Sequence, residues 1–164
     1  MRTLGHRGYT FLELIVVLAI VGAVLLLALP QVGKGVETLR LKTTTRKLAS
    51  VLRYARVLAI SERTVSVVGL DLSRDEYWLG VVAPGRTREE VRTSYALPET
   101  VKVAVQPLGE AISRKRGVVR FVFFPRGGAY GGQLWLEGQK GRRYGILVDS
   151  LTGRVRISDA TRGT

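Results

Sequence analysis

The apolar positions of this chain follow three rhythms in succession. Residues 14–29 are sixteen consecutive residues with no polar side chain. Tyr9, Phe11 and Leu12 extend the run to about 21 residues, the length of a helix that spans a bilayer core. Beyond it, Val36, Leu39, Thr43, Leu48, Val51, Leu52, Ala55, Leu58 and Ala59 recur at helical spacings of three and four. Arg40, Lys42, Arg46, Lys47, Arg53 and Arg56 stand between them. This pattern predicts an amphipathic helix over 31–63, with its apolar stripe on a globular domain and its basic side toward solvent. Pro30 lacks an amide and crowds the preceding turn, so a kink or local opening is expected there.

After Arg63 the period falls to two. Residues 64–72 and 76–83 read as a hairpin around Ser73, Arg74 and Asp75, and 101–106, 118–124, 133–136, 144–149 and 154–157 as further strands. Loops are expected at 84–94, 108–117 and 126–132. The "RGGAYGGQ" loop lacks the spacing and the lysine of a phosphate-binding Walker loop, so it reads as a hairpin connection. The architecture these rhythms predict is α+β. A long N-terminal transmembrane-to-amphipathic helix (9–30, then 31–63) packs on a sandwich-like antiparallel β domain over 64–164.

One residue does not fit a simple anchor. Glu13 sits inside the apolar run, and a charge at mid-bilayer costs at least about 2.5–3.5 kcal/mol. A secretory signal would need small residues around a cut after the run, but Ala28, Leu29, Pro30, Gln31 and Val32 make a poor site. Cleavage after Gly8 would resolve the difficulty. The new α-amine on Tyr9 would lie four residues before Glu13, one helical turn away on the same face, where amine and carboxylate could neutralise each other. Glycine before the cut also lets the backbone enter a tight protease site.

"RG" followed by "YTFLELIVVLAIVGAVLLLALP" resembles the class III signal of type IV prepilins and type II secretion pseudopilins. The resemblance implies that residues 1–8 are a leader, removed by prepilin peptidase, a membrane aspartyl peptidase that cuts after Gly8 and methylates Tyr9. Tyr9 stands where the family usually has phenylalanine. Glu13 matches the family's acid at the fifth mature position and Pro30 its proline at the twenty-second, both tied to assembly. It further implies a single-pass protein of the inner membrane with an extracytoplasmic C-terminal domain, extracted into a filament with other pilins or pseudopilins. Arg2 and Arg7 agree with a cytoplasmic leader; Lys34, Arg40, Lys42, Arg46 and Lys47 beyond the run vote the other way on a simple positive-inside count. Downstream, "LRYARVLAISERTVSV", "FFPRGGAYGGQLWL" and "DSLTGRVRI" are similar to the GspH/FimT branch.

Composition closes off most chemistry. There is no cysteine, and the one histidine, His6, lies in the leader. Disulfides, Cys/His metal sites and histidine-activated nucleophiles are excluded from the mature chain, and no paired acids stand in an apolar setting. The chain reads as no enzyme and as needing no cofactor or metal. Its formal net charge is +13, with 20 arginines, and loss of Arg2 and Arg7 leaves +11. Such an excess suits a polyanionic partner. It also suits a heat-adapted composition, since asparagine is absent and methionine occurs once.

The sharpest candidate for a partner site is "TGRVR", 152–156. In a strand, Arg154 and Arg156 would project from one face about 6.6 Å apart while Val155 and Ile157 turn to the other. Two guanidiniums could each grip a phosphate, with the glycine allowing a tight approach. FimT-like members bind DNA through a Gly-Arg-x-Arg element, which Gly153, Arg154, Val155 and Arg156 match; Lys140, Arg142 and Arg143 could extend the patch, as could Arg114, Lys115 and Arg116. The same residues also make an ordinary hairpin, with arginines protecting an edge strand. Two functions follow. One is a minor pilin that contacts double-stranded DNA during uptake. The other is a structural tip pseudopilin of a type II secretion system with no nucleic-acid role.

Overall fold

A hydroxyl starts the first element. Thr10 Oγ1 accepts the Glu13 amide at 3.3 Å and the Thr10 carbonyl accepts the Leu14 amide at 3.2 Å, so Thr10 caps helix α1, Phe11–Ser61. The protein is described here by a computed structural model covering residues 10–107, 117–138 and 141–159, without the side chains of 26–35, 106 and 107. Helix α1 runs unbroken through Pro30. The fixed φ of proline is close to the helical value, so the helix continues past Pro30 without the one hydrogen bond that a proline cannot donate.

Two compact units divide the chain, residues 1–36 and 37–164. In the first, every described side chain from Phe11 to Leu25 except Gly22 is exposed, among them Phe11, Leu12, Leu18 and Ile20. A contiguous apolar surface of this kind marks contact with a membrane or another protein. Among the described residues no helix is long and apolar enough to cross a membrane. The span expected over 9–30 falls partly outside them, at Tyr9 and at the side chains of 26–30.

The second unit holds the C-terminal part of α1 and, among its described residues, nine strands: β1 Val65–Asp71, β2 Glu76–Val82, β3 Glu90–Ala96, β4 Val101–Pro107, β5 Val118–Phe123, β6 Ala129–Tyr130, β7 Gly132–Gly138, β8 Arg143–Val148 and β9 Val155–Asp159. They form two antiparallel sheets, ordered β3-β2-β1-β5-β6 and β4-β7-β8-β9. The expected hairpin is present. Asp71 Oδ1 takes the amides of Ser73 and Arg74, which turns β1 into β2 with Asp71 opposite Glu76.

Period-two burial places alternate residues of the strands in one core. Val68 and Leu70, Tyr77 and Leu79, Phe121 and Phe123, Leu134 and Leu136, and Ile146 and Val148 join Leu41, Leu48, Leu52, Ala55 and Ala59 of α1. The helical stripe differs from the sequence reading at its start. Val36, Leu39 and Thr43 are exposed, and Leu41, Thr44 and Thr45 are buried instead. The five residues from Thr43 to Leu48 turn the helix by roughly 140° beyond a full turn, so the two sets cannot share a face. Two strands lie where loops were expected. β3 has an exposed, polar sequence with no apolar alternation, and β6 is only two residues long. Residues 108–116 lie outside the description.

The stripe assignment has a direct test in the melting of detergent-solubilised protein. Leu52→Ala empties a fully buried site and is expected to cost about 2–5 kcal/mol. Leu39→Ala, at a position 64% exposed, is expected to stay within about 0.5 kcal/mol. Equal losses would place the helix at the wrong rotation.

Candidate functional site

Of the N-terminal candidates, Gly8 and Tyr9 lie outside the described residues, as does the side chain of Pro30. Glu13 is exposed in the first turn of α1, three residues after its cap, which is the Thr-x-x-Glu spacing of a capping box. A carboxylate there is stabilised by the positive end of the helix dipole.

The C-terminal candidate is the turn joining β8 to β9. Asp149 organises it. One carboxylate oxygen takes both the Thr152 amide and the Thr152 hydroxyl at 2.8 Å, and the Asp149 carbonyl takes the Gly153 amide at 2.8 Å. The Asp149 carboxyl is held below the usual carboxylate range, first by the Thr152 amide, then by its hydroxyl, with smaller help from the Leu151 amide and the charge of Arg156. The Asp149 amide donates back to the Arg154 carbonyl at 2.9 Å, closing the hairpin.

Arg154 and Arg156 are both exposed on this hairpin, with Val155 buried between them. Ile157, two residues on in β9, is 37% exposed. The structure does not bring Arg142 and Arg143 to the same place. Tyr144 pairs with Asp159 and Val148 with Val155, so Arg143 and Arg154 stand at opposite ends of the β8–β9 ladder. Val148 is five steps along the strand from Arg143, roughly 16 Å. Arg143 is also paired with Glu137 at 3.0 Å. Lys140, Arg114, Lys115 and Arg116 lie outside the described residues.

Two other arginines take that place, and both come from α1. Arg56 Nε donates to the Thr152 carbonyl at 2.8 Å, and Arg53 Nη2 to the Val155 carbonyl at 3.4 Å. Together with Val57, Arg154, Val155 and Arg156 they line an open groove of about 340 Å³. Ion pairs form at Arg92–Glu62, Arg120–Glu89 and Arg143–Glu137, and among the described residues none of the four groove arginines has a carboxylate at pairing distance. The helix could not be assigned to this site from sequence, because its basic positions look like any solvated face.

The three sequence pieces singled out above converge here. Gly127 and Gly128 of the β5–β6 loop lie against the turn, and the Ala129 amide donates to the Ser150 carbonyl at 2.9 Å. Gly153 has φ +63°, and a Cβ on it would stand 2.6 Å from the Gly127 carbonyl oxygen and 3.1 Å from Arg56 Cδ and Nε. The close approach this glycine permits in the structure is therefore to the protein's own groups. Gly153→Ala should lower stability by at least about 1–2 kcal/mol from the left-handed backbone alone, with added loss from the contact with Gly127. An unchanged melting temperature would show that the turn relaxes freely.

A family model described as type II transport protein GspH matches residues 44–153, and a prokaryotic N-terminal methylation motif matches residues 4–29. The second stretch contains Gly8, Tyr9 and Glu13; the first ends just before Arg154. Type II secretion system protein H of Xanthomonas campestris pv. campestris is 28% identical over 151 residues, which cover 92% of this chain and 82% of that protein. The fold is similar to that of EpsH, a minor pseudopilin of the Vibrio cholerae type II secretion system, with a TM-score of 0.60 and 12% identity over 74% of this chain and 98% of that one. It is also similar to that of the Pseudomonas aeruginosa type IV minor pilin FimU, at 0.56 and 16% over 78% and 95% respectively.

Proposed function

This chain belongs to the GspH family, and on that premise we propose that it is a minor pseudopilin whose C-terminal turn contacts duplex DNA. The family makes it a structural subunit of a type II secretion or type IV pilus-like system and not an enzyme. The methylation motif implies processing by prepilin peptidase and assembly with other pseudopilins. In our reading the cut falls after Gly8, Tyr9 carries the new amine, and residues 9–30 hold the subunit in the inner membrane until Glu13 and Pro30 serve its entry into the filament. The C-terminal domain is then extracytoplasmic.

The observation that carries the DNA reading is a pair of exposed arginines, Arg154 and Arg156, on a turn held rigid by Asp149 and without a carboxylate partner among the described residues. The turn fixes where the two side chains start, and the planar fork of each guanidinium is pre-organised to engage a phosphate. Arg142, at the far end of the ladder, would meet a different phosphate of the same duplex, and Lys140 is proposed as a further ligand from its charge alone. Gly153 acts by shaping the turn. A structural secretion-tip role without nucleic acid is the second reading, favoured by the likeness to the Xanthomonas protein H.

Full-length protein in neutral detergent separates the two. Binding to a labelled duplex, followed by anisotropy, should weaken steeply with salt, with log affinity falling by about 0.9 per phosphate contact for each unit of log salt. Arg154→Ala with Arg156→Ala should abolish it. No binding at low salt leaves the secretion role. Processing is tested separately: Gly8→Ala, or a bulkier residue there, should leave the leader uncut when the chain is expressed with prepilin peptidase, and a normal mature mass would sink that assignment.

A further inference from the structure

The groove between α1 and β9 has more built into it than the turn arginines need, and we propose that Arg53 and Arg56 of the helix complete a seat for one phosphodiester unit of the nucleic-acid backbone. This assignment rests on the DNA reading above and adds to it the ligands on the helix and the part of DNA they hold.

Three features point there. First, the helix arginines are oriented without being neutralised. Arg56 spends its Nε on the Thr152 carbonyl and Arg53 one Nη on the Val155 carbonyl. A guanidinium has five N–H donors and a carbonyl removes no charge, so each keeps donors and its full cationic character for a ligand. The bonds hold both side chains against the turn that presents Arg154.

Second, nothing on the helix compensates these charges. The neighbours of Arg53 three and four residues away are Ala49, Ser50, Arg56 and Val57; those of Arg56 are Leu52, Arg53, Ala59 and Ile60. None is acidic, and Arg53 and Arg56 are themselves a like-charge pair one turn apart, which disfavours the helix. Across the groove Asp149 gives one carboxylate oxygen to Thr152 and feels the charge of Arg156. Among the described residues no carboxylate pairs with Arg53, Arg56 or Arg154. Four cations around one groove is a self-repelling arrangement that an anionic ligand relieves.

Third, the groove is open and its floor is apolar. Val57, 56% exposed, lines the groove next to the helix arginines, and Val155 lines it from β9. A small anion such as free phosphate has no use for that floor, and a small ligand is normally enclosed. A sugar–phosphate chain presents an apolar deoxyribose face beside each charge and must enter and leave the site, as an open groove allows. Such a seat contacts no base edge, so it holds DNA without reading sequence.

The test uses full-length protein in neutral detergent and a labelled duplex of mixed sequence. Arg53→Gln with Arg56→Gln should weaken binding at least tenfold at low salt and reduce the salt slope by about 1–2 units. Loss of the Arg56–Thr152 bond could loosen the turn, so Val57→Glu is the second variant. It places a carboxylate on the floor at an exposed helix position, and should weaken binding as strongly with the melting temperature unchanged. A second duplex of different base composition should bind each protein equally. If Val57→Glu and the double variant bind with wild-type affinity and slope while Arg154→Ala with Arg156→Ala does not bind, the helix arginines are structural and the seat is overturned with the DNA reading intact. Failure of the wild-type protein to bind removes both.

Discussion

Burial of one stripe of α1 sets the position of everything near the groove. Leu41, Leu48, Leu52, Ala55 and Ala59 lie at spacings of seven, four, three and four, and each is at most 1% exposed against apolar residues from both sheets. A helix locked on that face has no rotational freedom left. Arg53 and Arg56 each follow a stripe residue by one position, and so stand about 100° around the helix from it, on one common side. That side is the rim where β9 passes. The small side chains at 49, 55 and 59 keep the backbone close to the sheets, close enough for a guanidinium to reach main-chain carbonyls of the β8–β9 turn and of β9.

The turn meets the helix with matching economy. Gly153 is in the left-handed region and carries no Cβ, which leaves room for Arg56 and for the Gly127 carbonyl. Asp149 gathers the Thr152 amide and hydroxyl, so the Thr152 carbonyl faces outward to accept from Arg56. Each contact is an ordinary hydrogen bond of modest net worth. Their cooperation is what matters, because the helix, the β5–β6 loop and the β8–β9 turn all meet at one glycine. Two positive charges from the helix are thereby parked beside two from the hairpin, an arrangement that packing alone would not select.

Much of this was legible in the chain, and the misses have physical causes. Strands that bury alternate residues, such as β5 and β7, announce themselves by period two. β3 does not, because this edge strand is exposed from Glu90 to Ser94 and puts only Tyr95 against the core, too little to impose alternation. The helical stripe was legible from Leu48 onward, where leucine and alanine occupy it, but not through Leu41 to Thr45, where buried threonines break the apolar signal. The basic turn was legible as a local motif. Its grouping with Arg142 and Arg143 followed chain proximity, whereas strand pairing carries those residues to the other end of the ladder. Its actual partner, Arg56, is 96 residues away from Thr152, and no local pattern encodes a contact at that separation.

At the other end of the chain, Glu13 acquires a second reason to be acidic. With Thr10 as cap, its carboxylate lies in the first turn, where exposed amides and the aligned peptide dipoles create positive potential. A cut after Gly8, as proposed, would add a cationic amine one residue before the cap. An amine at a helix N-terminus is unfavourable by itself, since it meets the positive end of the dipole. To stand one turn from Glu13, the amine must also join the helix, and helix growth back to Tyr9 would surrender the Thr10 cap. A single carboxylate at position 13 offsets both costs: it answers the dipole before processing and the amine after it. A neutral residue would leave the cap in place and the processed terminus uncompensated in an apolar layer, so the acid links the local capping chemistry of the precursor to the electrostatics of the mature subunit.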